Sequence, residues 1–314
     1  MRLSTSDSEL LNPTQAIVLL LALACCYLCA LELATRLLLP RLSHTQHRLA
    51  SDYLAARTLS RKWPDGSDTV LIVGNSLLVD AIDRTDLQRR MPGYHTALYP
   101  VESTTYLDWY FGLRRLFSEG SRPSLVMLTV NVRHVLSDST NGEAFARSMM
   151  KMSDLMDVSR AAKLNMMSTS TYFFANLSEW LGTRASIRNV LLEEWLPGAP
   201  LLVAHFSTRA AAVPVTATRL AAARLQKMRD LCNSYGAGFA LLIPPALSAG
   251  DPASALVKEA GQLNVTVLLP FRPGEMPPEA FADGFHLNPR GAARFTERTA
   301  ADLRRAFALS QTRP

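Results

Sequence analysis

The sequence predicts an α/β fold: a doubly wound parallel sheet, with helices on both faces, behind one membrane-spanning helix. Three observations predict it. Residues 16–39 carry only two charges, Glu32 and Arg36, so one early segment is apolar enough to cross a bilayer. The 274 residues after position 40 suffice for one full core. Within them, short apolar runs without polar alternation are separated by helical stretches, the pattern of strands buried on both faces.

The apolar segment comes first. Residues 16–31 (AIVLLLALACCYLCAL) are uninterrupted, and a helix through Leu39 reaches about 36 Å, enough to cross a hydrocarbon core of roughly 30 Å. Glu32 and Arg36 are four apart and share a helix face. A cleaved signal peptide fits less well, because no basic cluster precedes the run and no small-x-small site closes it. The expected organisation is a tail over 1–15, a transmembrane helix over 16–39 and a juxtamembrane stalk helix over 40–66. An α/β domain follows over 67–314, with a helical insertion at about 132–213. Arg41, Arg48, Arg57, Arg61 and Lys62 follow the span. Taken alone they favour a cytoplasmic domain, although long domains translocate despite such a bias. The same residues could rest on anionic headgroups.

After the Pro64-Asp65-Gly66 turn, residues 69–73 (TVLIV) read as the first strand, ended by Gly74. A helix is expected over 77–90, a second strand over 96–99, a helix over 104–119 closed by Gly120, and a third strand over 125–130. An amphipathic helix over 216–235 ends at Gly236, a C-cap residue. Strands follow at 239–243, stopped by Pro244-Pro245, and at 265–269, then a closing helix over 289–307. Right-handed crossovers make this a doubly wound sandwich, whose ligands bind beyond the carboxyl ends of the strands. The stretch 131–213 breaks the alternation with Met149, Met150, Met152, Met156, Met166 and Met167, then Tyr172, Phe173, Phe174, Trp180 and Trp195. It reads either as the core of an inserted helical subdomain or as an adaptable apolar surface for a lipid, an acyl chain or a membrane partner.

Composition excludes several classes. With 48% hydrophobic and 19% charged residues the chain is neither disordered nor collagen-like. Three of four cysteines sit in the span and Cys232 is alone, so the soluble part has neither a disulfide framework nor a zinc spacing. The net charge of +6 is scattered, without the basic face and interleaved aromatics of a nucleic-acid binder. No glycine-rich nucleotide loop is present, and no metal or cofactor is expected.

Two motifs fall where a doubly wound sheet places its site. Gly74-Asn75-Ser76-Leu77-Leu78 follows the first strand. A serine at a strand-to-helix turn exposes its hydroxyl beside the free N–H groups of a helix start, which suits a nucleophile and equally suits a plain N-cap. After the fifth strand comes Asp283-Gly284-Phe285-His286-Leu287-Asn288-Pro289. A carboxylate three residues before an imidazole can fix one ring tautomer, leaving the other nitrogen to take a proton from serine. A surface histidine beside a capping aspartate would look the same.

Together these blocks resemble the SGNH (GDSL-type) hydrolase family, whose nucleophile block is Gly-Asp-Ser-Leu after strand one and whose last block is Asp-x-x-His before the final helix. Here Asn75 replaces the aspartate of the first block, and the last block matches closely. The resemblance covers roughly residues 67–308 and implies a flavodoxin-like five-stranded sheet. It also implies Ser76 as nucleophile, His286 as general base and Asp283 as its orienter.

The middle blocks depart from the family. Its glycine after strand two has no counterpart in residues 99–104. Its Gly-x-Asn-Asp block after strand three becomes Thr129-Val130-Asn131. Oxyanion donors would then be Asn131 and the Ser76 backbone, and a missing donor typically costs about 3 kcal/mol. Arg133 and His134 are candidates to substitute or to hold an anionic group; an exposed loop pair is the other reading.

An N-terminal anchor before such a domain is similar to the membrane-tethered proteins that O-acetylate exopolysaccharides and to the D-alanylation protein of teichoic acids. That similarity implies a single-pass bacterial inner-membrane protein with a periplasmic domain. It further implies a polysaccharide or acyl-ester substrate, a multi-span acyltransferase partner, and esterase or O-acyltransferase activity. The alternative is a catalytically inactive scaffold that binds glycan or that partner.

Overall fold

The computed structural model describes residues 12–195 and 217–311. Five strands form one parallel sheet in the order β2-β1-β3-β4-β5: β1 Asp68–Gly74, β2 Tyr94–Pro100, β3 Leu125–Thr129, β4 Gly238–Leu242 and β5 Thr266–Leu268. This is the flavodoxin-like order, in which the chain reverses direction across the sheet between β1 and β3 and opens a crevice there. Gly74 pairs with Pro100 on one side and Thr129 on the other, so the loops after β1, β2 and β3 leave the sheet together.

The strands form because both of their faces are apolar. Alternate residues of a strand point to opposite sides. Val70 and Ile72 of β1 therefore join Met127, Leu242 and Phe295 on one face, while Leu71 and Val73 join Leu128, Leu241, Trp109 and Phe117 on the other. The first face is covered by α3 (Ser76–Ala81), α4 (Arg84–Arg90) and α13 (Pro289–Gln311). The second is covered by α5 (Tyr106–Ser118), α11 (Thr218–Ser234) and α12 (Ala253–Gln262).

The expected helix over 77–90 is in fact two. The chain breaks at Ile82 and restarts at Asp83, whose carboxylate caps the Asp86 N–H at 2.9 Å and whose own N–H reaches Thr296 Oγ1 at 3.0 Å. An aspartate inside a helical pattern had capped a new helix. Helix α12, between β4 and β5, is an element the sequence analysis does not anticipate.

At the N-terminus, α1 (Pro13–Leu42) begins with Asn12 and Gln15 in a reciprocal cap. It is long and apolar enough to cross a membrane, and the side chains of Ile17, Leu20, Leu23 and Leu28 lie outside any core. The polar stretch read as a stalk forms α2 (His44–Arg57), and it is part of the folded body. Ala56 is buried, and Asp52 receives both arms of the Arg84 guanidinium at 2.6 and 2.5 Å.

The insertion is helical as far as it is described: α6 Val132–Leu136, α7 Gly142–Ser148, α8 Leu155–Ala161, α9 Met166–Leu177 and α10 Glu179–Trp195. Its two readings divide between residues. Met149, Met150, Phe145 and Tyr172 are buried, whereas Met156, Met166, Met167, Phe173 and Phe174 face outward. Residues 196–213 of the insertion, and the Trp195 side chain, lie outside the described residues.

Gly74 fixes the join of β1 and β3, since a Cβ there would sit 2.4 Å from the Thr129 carbonyl oxygen. Neither backbone can give way without parting the strands. We expect Gly74→Ala to lower stability by about 1–3 kcal/mol, the usual cost of overpacking a close-packed site. Thermal denaturation measures it, and an unchanged midpoint would show that the strands part freely.

Candidate active site

Beyond Gly74, Asn75 is buried and satisfied at both ends. Its Oδ1 accepts from the Leu77 N–H at 3.1 Å, and its Nδ2 donates to the Thr104 carbonyl at 3.2 Å. Asn75 thus caps α3 and ties the β1 loop to the β2 loop. Ser76 is the first residue of α3, where N–H groups have no intrahelical partner.

The second half of the site is a tight turn. Phe281 and Leu287 bridge antiparallel, and the Ala282 N–H donates to the His286 carbonyl at 2.8 Å. Inside it, Asp283 Oδ1 accepts from the N–H groups of Phe285 at 3.0 Å and His286 at 2.8 Å, while Oδ2 meets His286 Nδ1 at 2.7 Å. Gly284 has φ +86°, a left-handed conformation that favours glycine. Asn288 then caps α13, and a Cβ at Gly291 would lie 2.3 Å from the Ala280 oxygen. The helix start is therefore pressed against the turn.

These two halves meet: His286 Nε2 lies 3.1 Å from Ser76 Oγ. Burial disfavours the Asp283 anion, but hydrogen bonds from the His286 ring and from the two backbone N–H groups outweigh it and hold the carboxyl at about 2. An ionised Asp283 accepts a hydrogen bond from Nδ1–H, which leaves the Nε2 lone pair facing the serine hydroxyl. Asp80, one turn along α3 from Ser76, is a neighbour the sequence analysis misses. Burial raises its pKa, His286 attracts its charge and Asp283 repels it.

The other expected residues follow β3 at the same edge of the sheet. Asn131 lies two residues past Thr129, the β3 partner of Gly74, so it shares the edge that carries Ser76. Its Oδ1 caps α6 by accepting the His134 N–H at 3.0 Å, which orients the amide and leaves Nδ2 as a donor. Arg133 is exposed on α6. Burial, reinforced by Arg133, lowers the His134 pKa to about 4. His134 is therefore neutral near pH 7, so any anion held here falls to Arg133.

The loop after β2 holds a further residue without a sequence signal. Ser103 has φ +59°, so a serine adopts the left-handed backbone that glycine usually supplies. The loop is clamped by Arg48, which donates to the Pro100 carbonyl at 3.0 Å and pairs with Glu102, and by Asn141 Nδ2 on the Glu102 carbonyl at 3.0 Å.

No family model and no curated protein matches the chain. Among solved structures, that of TesA is similar over 75% of this chain and 98% of that one, at 13% identity and a TM-score of 0.37.

The depressed Asp283 pKa gives a pH test. A carboxyl near 3.9 when unfolded and about 2 when folded stabilises the native state above pH 4. That contribution is lost as pH falls through the folded value. The thermal-midpoint advantage of wild type over Asp283→Asn should shrink steadily between pH 5 and pH 2; an advantage independent of pH would mean that Asp283 does not hold this charge.

Proposed function

We propose that this protein is a membrane-anchored SGNH-type serine acyl-ester hydrolase or O-acyltransferase that works on cell-surface polysaccharide through an acyl-serine intermediate. The observation that carries the reading is the continuous chain from Ser76 Oγ to His286 Nε2, and from Nδ1 to Asp283. Ser76 Oγ attacks the acyl carbonyl as its proton passes to His286 Nε2, giving a tetrahedral oxyanion. On this reading the Ser76 N–H and the Asn131 amide are the donors to that oxyanion. Collapse returns the proton to the departing alcohol and leaves an acyl ester on Ser76. Water, or a sugar hydroxyl deprotonated by the same imidazole, then attacks that ester and frees Ser76.

Hydrolysis and transfer differ only in which hydroxyl reaches the ester. A helix that crosses the bilayer keeps the catalytic edge near membrane-delivered acyl groups and surface glycan, which favours transfer. On this reading the folded body is periplasmic, Arg133 faces anionic portions of the glycan, and a multi-span acyltransferase supplies the acyl group.

The test is turnover of a short-chain acetyl ester by the full chain, with and without an oligosaccharide acceptor. We expect wild type to release alcohol and, with acceptor present, to move acetyl onto the sugar. Ser76→Ala and His286→Ala should each lose about a millionfold, and Asp283→Asn about ten-thousandfold through the wrong ring tautomer. If wild type turns over no faster than Ser76→Ala, the catalytic reading fails and a glycan-binding scaffold replaces it.

A further inference from the structure

Helix α9 is amphipathic in the wrong sense for a water-soluble surface. Its inward side carries Tyr172, Ala175 and Asn176, whose amide donates to the carbonyls of Ala146 at 2.6 Å and Met150 at 3.0 Å. Its outward side carries Met166, Met167, Phe173, Phe174 and Leu177, with Met166 87% and Met167 80% exposed. At 100° per residue these outward positions fall in a stripe about 120° wide and roughly 16 Å long. Such a face needs an apolar partner.

The position of that face relative to α1 identifies the partner. Glu32 of α1 accepts hydrogen bonds from Ser178 Oγ at 2.9 Å and from the N–H groups of Glu179 at 2.7 Å and Trp180 at 3.1 Å, while also pairing with Arg36. The α9–α10 corner is thereby pinned at the level of Glu32. Counted from Ala16, that level is about 24 Å along the helix axis, short of the roughly 30 Å of a hydrocarbon core. Further along α1, Thr35 and Leu39 are buried, while Leu33, Leu37 and Leu38 remain exposed on the far side. One side of the helix therefore stays apolar and unpartnered past the point where the insertion packs. Between the elements lies a groove of about 620 Å³, lined by Leu28, Leu31 and Leu33 of α1 and by Phe174, Leu177 and Trp180 of the insertion.

We propose that the insertion is itself a membrane-seated element: the outward face of α9 and the α1–α9–α10 groove lie in the nearer leaflet and are filled by lipid acyl chains. The proposal rests on the reading of α1 as a membrane span. The occupant follows from continuity, because the groove shares its wall with the helix that crosses the bilayer and its lining carries the same side chains as that helix. Glu32 and Arg36 also line the groove, but the Glu32 oxygens are taken by four donors, and Arg36 can extend toward the headgroups.

The test uses the full chain in phosphatidylcholine vesicles whose acyl chains are brominated, which quench tryptophan on contact. Tryptophan is placed at exposed positions, in Leu177→Trp and Phe174→Trp on the insertion and in Leu20→Trp on α1, and the emission added over wild type is read. We expect all three to lose emission in brominated vesicles relative to unbrominated ones, with little further loss on adding aqueous acrylamide. Quenching at position 20 with none at 174 and 177 overturns the proposal while keeping the span. No quenching at any of the three overturns both. A groove occupied by a second copy of the chain would shield 174 and 177 from bromine, and that outcome counts against the proposal too.

Discussion

The hydrogen bond from Ser76 to His286 joins residues 210 apart in the chain, and the fold is what makes that meeting cheap. In a parallel sheet every strand leaves at the same edge, so a loop after the first strand and a loop after the last start on one rim. Two local devices finish the work. Gly74 lets β1 and β3 approach until only a hydrogen atom fits between them, which sets where Ser76 emerges. Asp283 gathers three donors within its own turn, which sets where the imidazole points. Neither device depends on substrate, so the geometry is preorganised, the condition under which a triad contributes to rate.

The strands were legible because burial on both faces removes polar residues from them altogether, and hydrophobic runs such as 69–73 and 125–130 survive any register. Boundaries that turn on one side chain were not. Asp83 restarts a helix by capping it, yet in a pattern of apolar spacing it looks like an ordinary exposed position. Helix α12 spans only ten residues directly after Pro252, fewer than three full turns, so its helical period has little length in which to repeat. The position of α2 was hidden because its contact with the body combines a few apolar residues, Leu49, Tyr53 and Ala56, with a buried aspartate, Asp52, paired with Arg84 across the fold.

At the site, residue types that carry chemistry could be read directly, since Ser76, Asp283 and His286 stand in short motifs. Backbone conformation could not. Ser103 takes a positive φ that sequence conventionally reports through glycine, and the clamps from Arg48 and Asn141 that hold its loop come from other elements. His134 illustrates the reverse case: the sequence offers an imidazole able to charge in mild acid, and burial keeps it neutral there. The methionine-rich insertion shows that composition alone does not assign burial, because Met149 and Met166 are the same residue type with opposite surroundings.

The central claim is that Ser76 is a nucleophile activated by His286. Incubating the full chain with a fluorophosphonate and mapping the adduct by peptide mass spectrometry addresses it most directly. The account predicts one phosphonyl group, on the peptide containing Ser76, in wild type, and its disappearance in His286→Ala. Modification of some other residue, or equal labelling of Ser76 in His286→Ala, would contradict it.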